Sequence, residues 1–222
     1  MRARLDLSLY HVTDARLSGS RGLVETVLAA VRGGATLIQL RDPEAKAGAL
    51  IELGRALLAA LEPTGVPLIV NDRPDVALAL GAAGVHLGQG DLAPAIARRI
   101  LGPHAVIGLS IDHPDQLARV PWDEVDHLGV GPVYARGAKA DAAEPMGLEG
   151  LAACVRRSRV PVVAIGGIAP GLAAACVHAG AEGVAVVNSI AGAADPEARA
   201  RELSREVRRT LEARAWRARG PS

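Results

Sequence analysis

An α/β fold, specifically a single-domain (β/α)8 TIM barrel, is predicted by three observations. Eight short apolar runs recur along the 222 residues, a longer helical pattern follows each, and several helix-to-strand junctions carry Gly-Gly or Gly-Ala. The runs are continuously apolar rather than alternating, as expected of parallel strands buried on both faces. Parallel neighbours need crossovers, and the helical patterns supply them. Eight such units close most economically into a barrel, with an open doubly wound sheet as the alternative.

In chain order the strands are expected at 7–13, 36–40, 67–71, 84–88, 105–110, 127–131, 161–166 and 183–188. Helices are expected near 22–32, 47–61, 75–80, 94–101, 114–119, 148–157, 171–179 and 196–216. The stretches "GGATLIQL", "GAAGVHLG" and "GAEGVAVV" form a weak repeat in which a glycine ends a helix in a left-handed cap and the next strand begins at once. The last helix alternates Arg with Glu and keeps Leu203, Val207 and Leu211 on one stripe, which describes a solvated helix rather than a nucleic-acid arm. One domain spans 1–222, its barrel covering about 8–216 with a short flexible tail.

Composition narrows the function classes. Half of the residues are hydrophobic and the formal net charge is +1, so there is material for one large core and no electrostatic case for nucleic acid or an anionic membrane. The chain start has no apolar segment followed by a small-residue cleavage site, and no apolar span is long enough for a bilayer, so the expectation is a cytoplasmic protein. Cys154 and Cys176 lack metal or redox spacing and read as reduced core thiols. Lysine occurs only as Lys46 and Lys139 among many arginines.

In such a barrel the chemistry collects where strands end and loops begin. Strand two leads into Gln39 and Arg41, strand three into Asn71 and Asp72, strand four into Gln89 and Asp91, and strand five ends on Ser110. A long loop with Arg136 and Lys139 follows strand six, "GGI" follows strand seven and "NSI" follows strand eight. Two carboxylates on adjacent strand ends suit Mg2+, which takes oxygen ligands, keeps waters and bridges substrate phosphates. Arg41 and Lys139 would neutralise remaining phosphate charge. The turns after strands seven and eight match a backbone phosphate cradle. Each group also has a plainer reading: Asp72 as cap of the next helix, Asp91 as the start of a turn, Gly166-Gly167 as an ordinary strand-to-helix turn. His86 and His127 read as packed, hydrogen-bonded residues inside strands.

The series "VTD", "QLRD", "NDRPDVALALGAAGVHLGQGDL", "IGLS", "GVGPVY", "KADA", "GLEGL", "PVVAIGGI" and "AGAEGVAVV" runs in order over roughly residues 8 to 200. It resembles the thiamine phosphate synthase family, in a superfamily shared with the thiazole tautomerases. The resemblance implies small-molecule substrates: 4-amino-2-methyl-5-hydroxymethylpyrimidine diphosphate condenses with thiazole phosphate, releasing pyrophosphate and giving thiamine phosphate, with C–O cleavage before capture of the pyrimidine cation. It further implies that Asp72 and Asp91 hold Mg2+, and that Gln39, Arg41, Asn71, Ser110 and Lys139 hold the pyrimidine diphosphate. Lys139, Ser110 and Arg41 are the expected catalytic set. Gly167, Val187 and Asn188 fall where the family holds the thiazole phosphate.

The departures are specific. Pro43 stands where the family usually has Lys, with Lys46 nearby. Arg136-Gly137-Ala138 replaces Thr-x-Thr, so Arg136 becomes the candidate anion grip, and Asn188 replaces Ser. Two other readings follow from these losses: a tautomerase-type isomerase, or a non-catalytic protein that binds thiamine phosphate. Pro132, where the tautomerase branch usually has His, sides with the synthase. The helix faces leave a homo-oligomer open.

Overall fold

A computed structural model describes residues 5–135 and 144–219. Arg136 and Lys139 lie outside the described residues. Eight parallel strands close in sequential order: β1 (Leu9–Val12), β2 (Leu37–Leu40), β3 (Leu68–Asn71), β4 (Gly84–Leu87), β5 (Val106–Ile111), β6 (His127–Val130), β7 (Val162–Ile165) and β8 (Gly183–Val186). The ring is completed by β1 pairing with β8 as well as with β2. Closure decides for the barrel over the open sheet, because it leaves no strand edge unpaired.

The helices are α1 (Ala15–Ser18), α2 (Leu23–Arg32), α3 (Ala47–Leu61), α4 (Pro74–Leu80), α5 (Pro94–Leu101), α6 (Gly147–Arg157), α7 (Ala173–His178), α8 (Asn188–Ala191) and α9 (Pro196–Arg219). Beyond shifts of a few residues at their ends, the observed elements depart from the expected ones as follows. Residues Pro114–Arg119 form a 3-10 turn rather than an α-helix, with His113 and Gln116 closing a capping box at its start. Two four-residue helices, α1 and α8, were not expected; neither has the length to show a helical period. Only Gly81 of the repeated glycines is a left-handed helix cap, at φ 63°, whereas Gly34 and Gly180 take φ 104° and 105° one residue beyond the C-cap.

Strand burial separates into two layers by residue parity. Leu9, Ile38, Leu40, Leu68, Val70, Ala164, Val184 and Val186 join the large cluster beneath the helices. Their neighbours Tyr10, Val12, Leu37, Ile69, Val163 and Ala185 form a second, smaller cluster that fills the barrel interior. Both faces being apolar is why the strands carry no alternating pattern.

The interior is not wholly apolar. His86 and His127 lie 5.4 Å apart between ring centroids, each edge-on to Tyr10. Glycine on the adjoining strands makes room for them: a Cβ on Gly108 would lie 2.3 Å from His86 Nδ1 and 2.5 Å from His127 Nε2. Both imidazoles are held neutral by burial, His86 pushed down to about 3 and His127 to about 4.

On the outside, α9 presents buried Ala200, Leu203 and Val207 and packs against α2 and α7. Its apolar stripe is therefore core, and only the opposite side is solvated. Cys154 and Cys176 are free and buried, and burial pushes the Cys176 thiol up to about 11. No helix among the described residues is long and apolar enough to cross a membrane.

Candidate active site

The strand ends bring Gln39, Asn71, Asp72 and Ser110 to one rim. Gln39 is buried at the end of β2 and donates through Nε2 to the hydroxyl of Tyr10 in the barrel interior. Thr13, just beyond β1, accepts from Arg41 N at 2.9 Å and so fixes the chain where β2 opens onto the rim. Ser110 Oγ lies 3.1 Å from His86 Nε2, and its carbonyl accepts from Gln89 Nε2 at 2.6 Å. The polar side chains at the mouth thus rest on a buried aromatic and imidazole layer.

Asp72 has a backbone that any other residue type except Asn or Gly would resist. Its φ of 61° makes it the one non-glycine residue with positive φ among the described residues. Asp72 N donates to His86 O at 2.8 Å, which ties the turn to β4. The helix-cap reading fails: the N-cap of α4 is Arg73, and no side chain caps it. Arg73 instead makes an outward ion pair with Asp75, with Nε–Oδ1 and Nη2–Oδ2 distances of 2.8 and 2.6 Å.

Asp91 does serve a turn, through Oδ2, which accepts from Gly88 N at 2.7 Å. It also reaches Asp72. Partial burial first, then the hydrogen bond and charge of Asp91, push the Asp72 carboxyl up to about 6, while Arg41 and a bond from Asn71 oppose the rise. Two carboxylates competing for one space is the arrangement that a divalent cation relieves. The turn role and a metal role for Asp91 are therefore compatible, since one oxygen closes the turn.

On the other side of the mouth, Gly166 and Gly167 follow β7 with φ of 98° and 68°. A Cβ on Gly167 would lie 2.7 Å from Tyr134 Cβ and 2.8 Å from Tyr134 O, so glycine is required by close approach as well as by φ. Val187 and Asn188 sit at the start of α8, whose amides open to the same end of the barrel. Pro43 and Lys46 lie exposed in the segment after β2, and among the described residues the Lys46 ammonium makes no ion pair.

Sequence reasoning missed Tyr10 as a partner of Gln39 and His86 as a partner of Ser110. His86 and His127 are packed as expected, but only His86 is also hydrogen-bonded, through Nε2; among the described residues both ring nitrogens of His127 are buried without a hydrogen-bond partner. The signal that could have found the layer is the glycine of "VIGLS", Gly108, which lies opposite both His86 and His127, but it needs the barrel register to be used.

The family described as Thiamine monophosphate synthase matches residues 9–190. The chain belongs to that family. Among its relatives, the thiamine-phosphate synthase of Xanthobacter autotrophicus is 54% identical over 202 residues, covering 91% of this chain and 96% of the relative. That of Moorella thermoacetica is 46% identical over 201 residues, covering 90% and 96%. The solved structure of thiamine phosphate pyrophosphorylase from Pyrococcus furiosus superposes with a TM-score of 0.84 at 36% identity, covering 93% of this chain and 98% of that one. Membership in the thiamine monophosphate synthase family accords with the ordered motifs, and the high coverage shows that the shared fold runs almost from end to end.

Proposed function

We propose that this chain joins 4-amino-2-methyl-5-hydroxymethylpyrimidine diphosphate to a thiazole phosphate, giving thiamine phosphate and pyrophosphate. The observation that supports this most is the Asp72 and Asp91 pair, brought together on the rim that also carries Gln39, Asn71 and Ser110. The substrates are small phosphorylated molecules, and the reading places the reaction in the cytoplasm.

Mg2+ fits the residues present. Asp72 and Asp91 offer hard oxygen donors, and two protein carboxylates leave most of an octahedral shell to water and substrate phosphate oxygens. When bound there, the ion would supply charge neutralisation for the diphosphate as it departs. Arg41 adds a permanent positive charge that already acts on Asp72. Lys139, carried over from the family, completes the cationic side in this proposal, and Arg136 takes the thiazole phosphate with Gly167, Val187 and Asn188.

In the proposed step the C–O bond to the diphosphate breaks first and its electron pair leaves with pyrophosphate. The thiazole nitrogen then donates its lone pair to the resulting pyrimidine cation, forming the C–N bond. No proton need be removed to make the nucleophile, so the site requires positioning and charge rather than a strong base. Gln39, held by Tyr10, and Ser110, held beside His86, would orient the pyrimidine. The neutral state of both buried histidines avoids placing fixed positive charge under a developing cation.

Purified protein given both substrates and Mg2+ is expected to release pyrophosphate in step with thiamine phosphate. A folded protein that released none would remove this reading. Interconversion of thiazole phosphate tautomers without Mg2+ or pyrimidine would replace it by the isomerase.

A further inference from the structure

Glu206 belongs to α9, on the outer layer of the barrel, yet both of its carboxylate oxygens are engaged at the start of α7. Oε2 accepts from Gly171 N at 2.8 Å and Oε1 from Ala174 N at 2.7 Å. The helix has no cap of its own, because Leu172 stands at its N-cap and has no side-chain oxygen to offer. The cap comes instead from a residue more than thirty positions away.

Between the end of β7 and that cap runs the segment 166–172, which includes Gly167. Its other fastenings are the Ile168 side chain, buried in the main core, and Tyr134. Tyr134 N donates to Gly166 O at 3.0 Å, the Tyr134 hydroxyl donates to Leu172 O at 3.2 Å, and the Gly167 backbone lies directly against Tyr134. The turn is thus held at its near end by β7 and Tyr134 and at its far end by Tyr134 and Glu206. Glu206 supplies two of the three far-end bonds, and both are shorter than the one from Tyr134.

We propose that Glu206 is a positioning residue for the thiazole-phosphate end of the site, an inference that rests on the functional reading above. It touches no substrate. It fixes the far end of the turn that presents Gly167, and it occupies the Gly171 and Ala174 amides so that an anion is directed to Gly167 and the β8 turn instead. Loss of the carboxylate leaves two amides without acceptors and lets the turn shift, and small displacements of positioning groups are costly to binding.

The test compares wild type, Glu206→Ala, Glu206→Gln and, as a control one turn earlier on α9, Glu202→Gln. Steady-state kinetics are measured against each substrate, and backbone hydrogen exchange is followed by mass spectrometry. For Glu206→Ala the KM for thiazole phosphate is expected to rise about tenfold while kcat and the KM for pyrimidine diphosphate stay within about twofold. Glu206→Gln, which keeps one acceptor, should fall between, and it carries the comparison if the alanine variant does not fold. Exchange should quicken within 166–174 and not elsewhere. An unchanged thiazole-phosphate KM, or an equal rise in both KM values, would overturn the proposal. If wild type itself turns nothing over, the functional reading fails separately, and unchanged exchange in Glu206→Gln would still refute the anchoring.

Discussion

Asp72 and Asp91 approach each other across the ends of β3 and β4 closely enough to share a hydrogen bond, and Asp72 does so from a left-handed backbone, φ 61°. A left-handed aspartate with a crowded carboxyl is unfavourable for the fold alone. Such cost persists where the surrounding structure holds it for a purpose.

The sign of its pH dependence follows from the shift. Asp72 is raised to about 6 from its ordinary 3.8, so between those values the folded state binds more protons than the unfolded one. The Asp72 contribution to stability is therefore fully present below pH 4 and is lost as pH rises through about 6. Metal-free Asp72→Asn, which tolerates the same backbone, is expected to be more stable than wild type at pH 7.5 and to lose that advantage at pH 4. Thermal unfolding at the two pH values in EDTA checks this, and the reverse order would contradict it.

The buried histidines act in the opposite direction. His86 and His127 are lowered to about 3 and about 4, as is His11 to about 4, all chiefly by burial. The unfolded chain binds more protons below pH 6.5, so their contribution is present above that value and falls as pH drops toward 4. His127→Gln, with no group that ionises in this range, is expected to flatten the decline of urea midpoint between pH 6.5 and 4. An unchanged slope would show that His127 does not titrate with unfolding.

Gly108 sits where a methyl group has no space, 2.3 Å from His86 Nδ1 and 2.5 Å from His127 Nε2. Gly108→Ala is expected to destabilise by about 2 kcal/mol through overpacking. Because His86 would be pushed against Ser110, activity should fall more than the unfolded fraction explains. Urea denaturation together with specific activity per folded molecule measures both.

At the opposite end of the barrel from the site, Arg98 on α5 donates to Asp126 Oδ2 at 2.8 Å and to Glu124 O at 2.9 Å, and also to the carbonyl of Ala105. Its side chain is 10% exposed and that of Asp126 17%. Arg98→Met keeps much of the aliphatic stem and removes the charge that pairs with Asp126. A loss of about 3 kcal/mol is expected, with KM values unchanged. Urea denaturation and kinetics on the same sample separate stability from function.

The legible parts of this molecule were those written in short spans. Asp72 and Asp91 could be placed on one rim because each lies just beyond a strand-like run, and barrel topology turns that position into proximity. What was not legible depends on pairing across distance. The cap that Glu206 gives α7 arrives from another helix, and the Tyr10, His86 and His127 layer is visible only once register sets Gly108 beneath two imidazoles. Residues 114–119 looked helical because periodicity over so few residues does not separate an α-helix from a 3-10 turn. The substitutions at Arg136 and beside Lys139 were legible as departures from the family, although they lie outside the described residues.

The central claim is that Asp72 and Asp91 together hold the cation on which the leaving diphosphate depends. The most direct measurement is pyrophosphate release as a function of Mg2+ concentration for wild type, Asp72→Ala and Asp91→Ala, each checked for folding by circular dichroism. Wild type is expected to saturate with Mg2+, and each variant to fall about a hundredfold or more in rate at the wild-type saturating concentration, with partial recovery at higher Mg2+. A folded Asp72→Ala variant with wild-type rate and wild-type Mg2+ dependence would contradict the account.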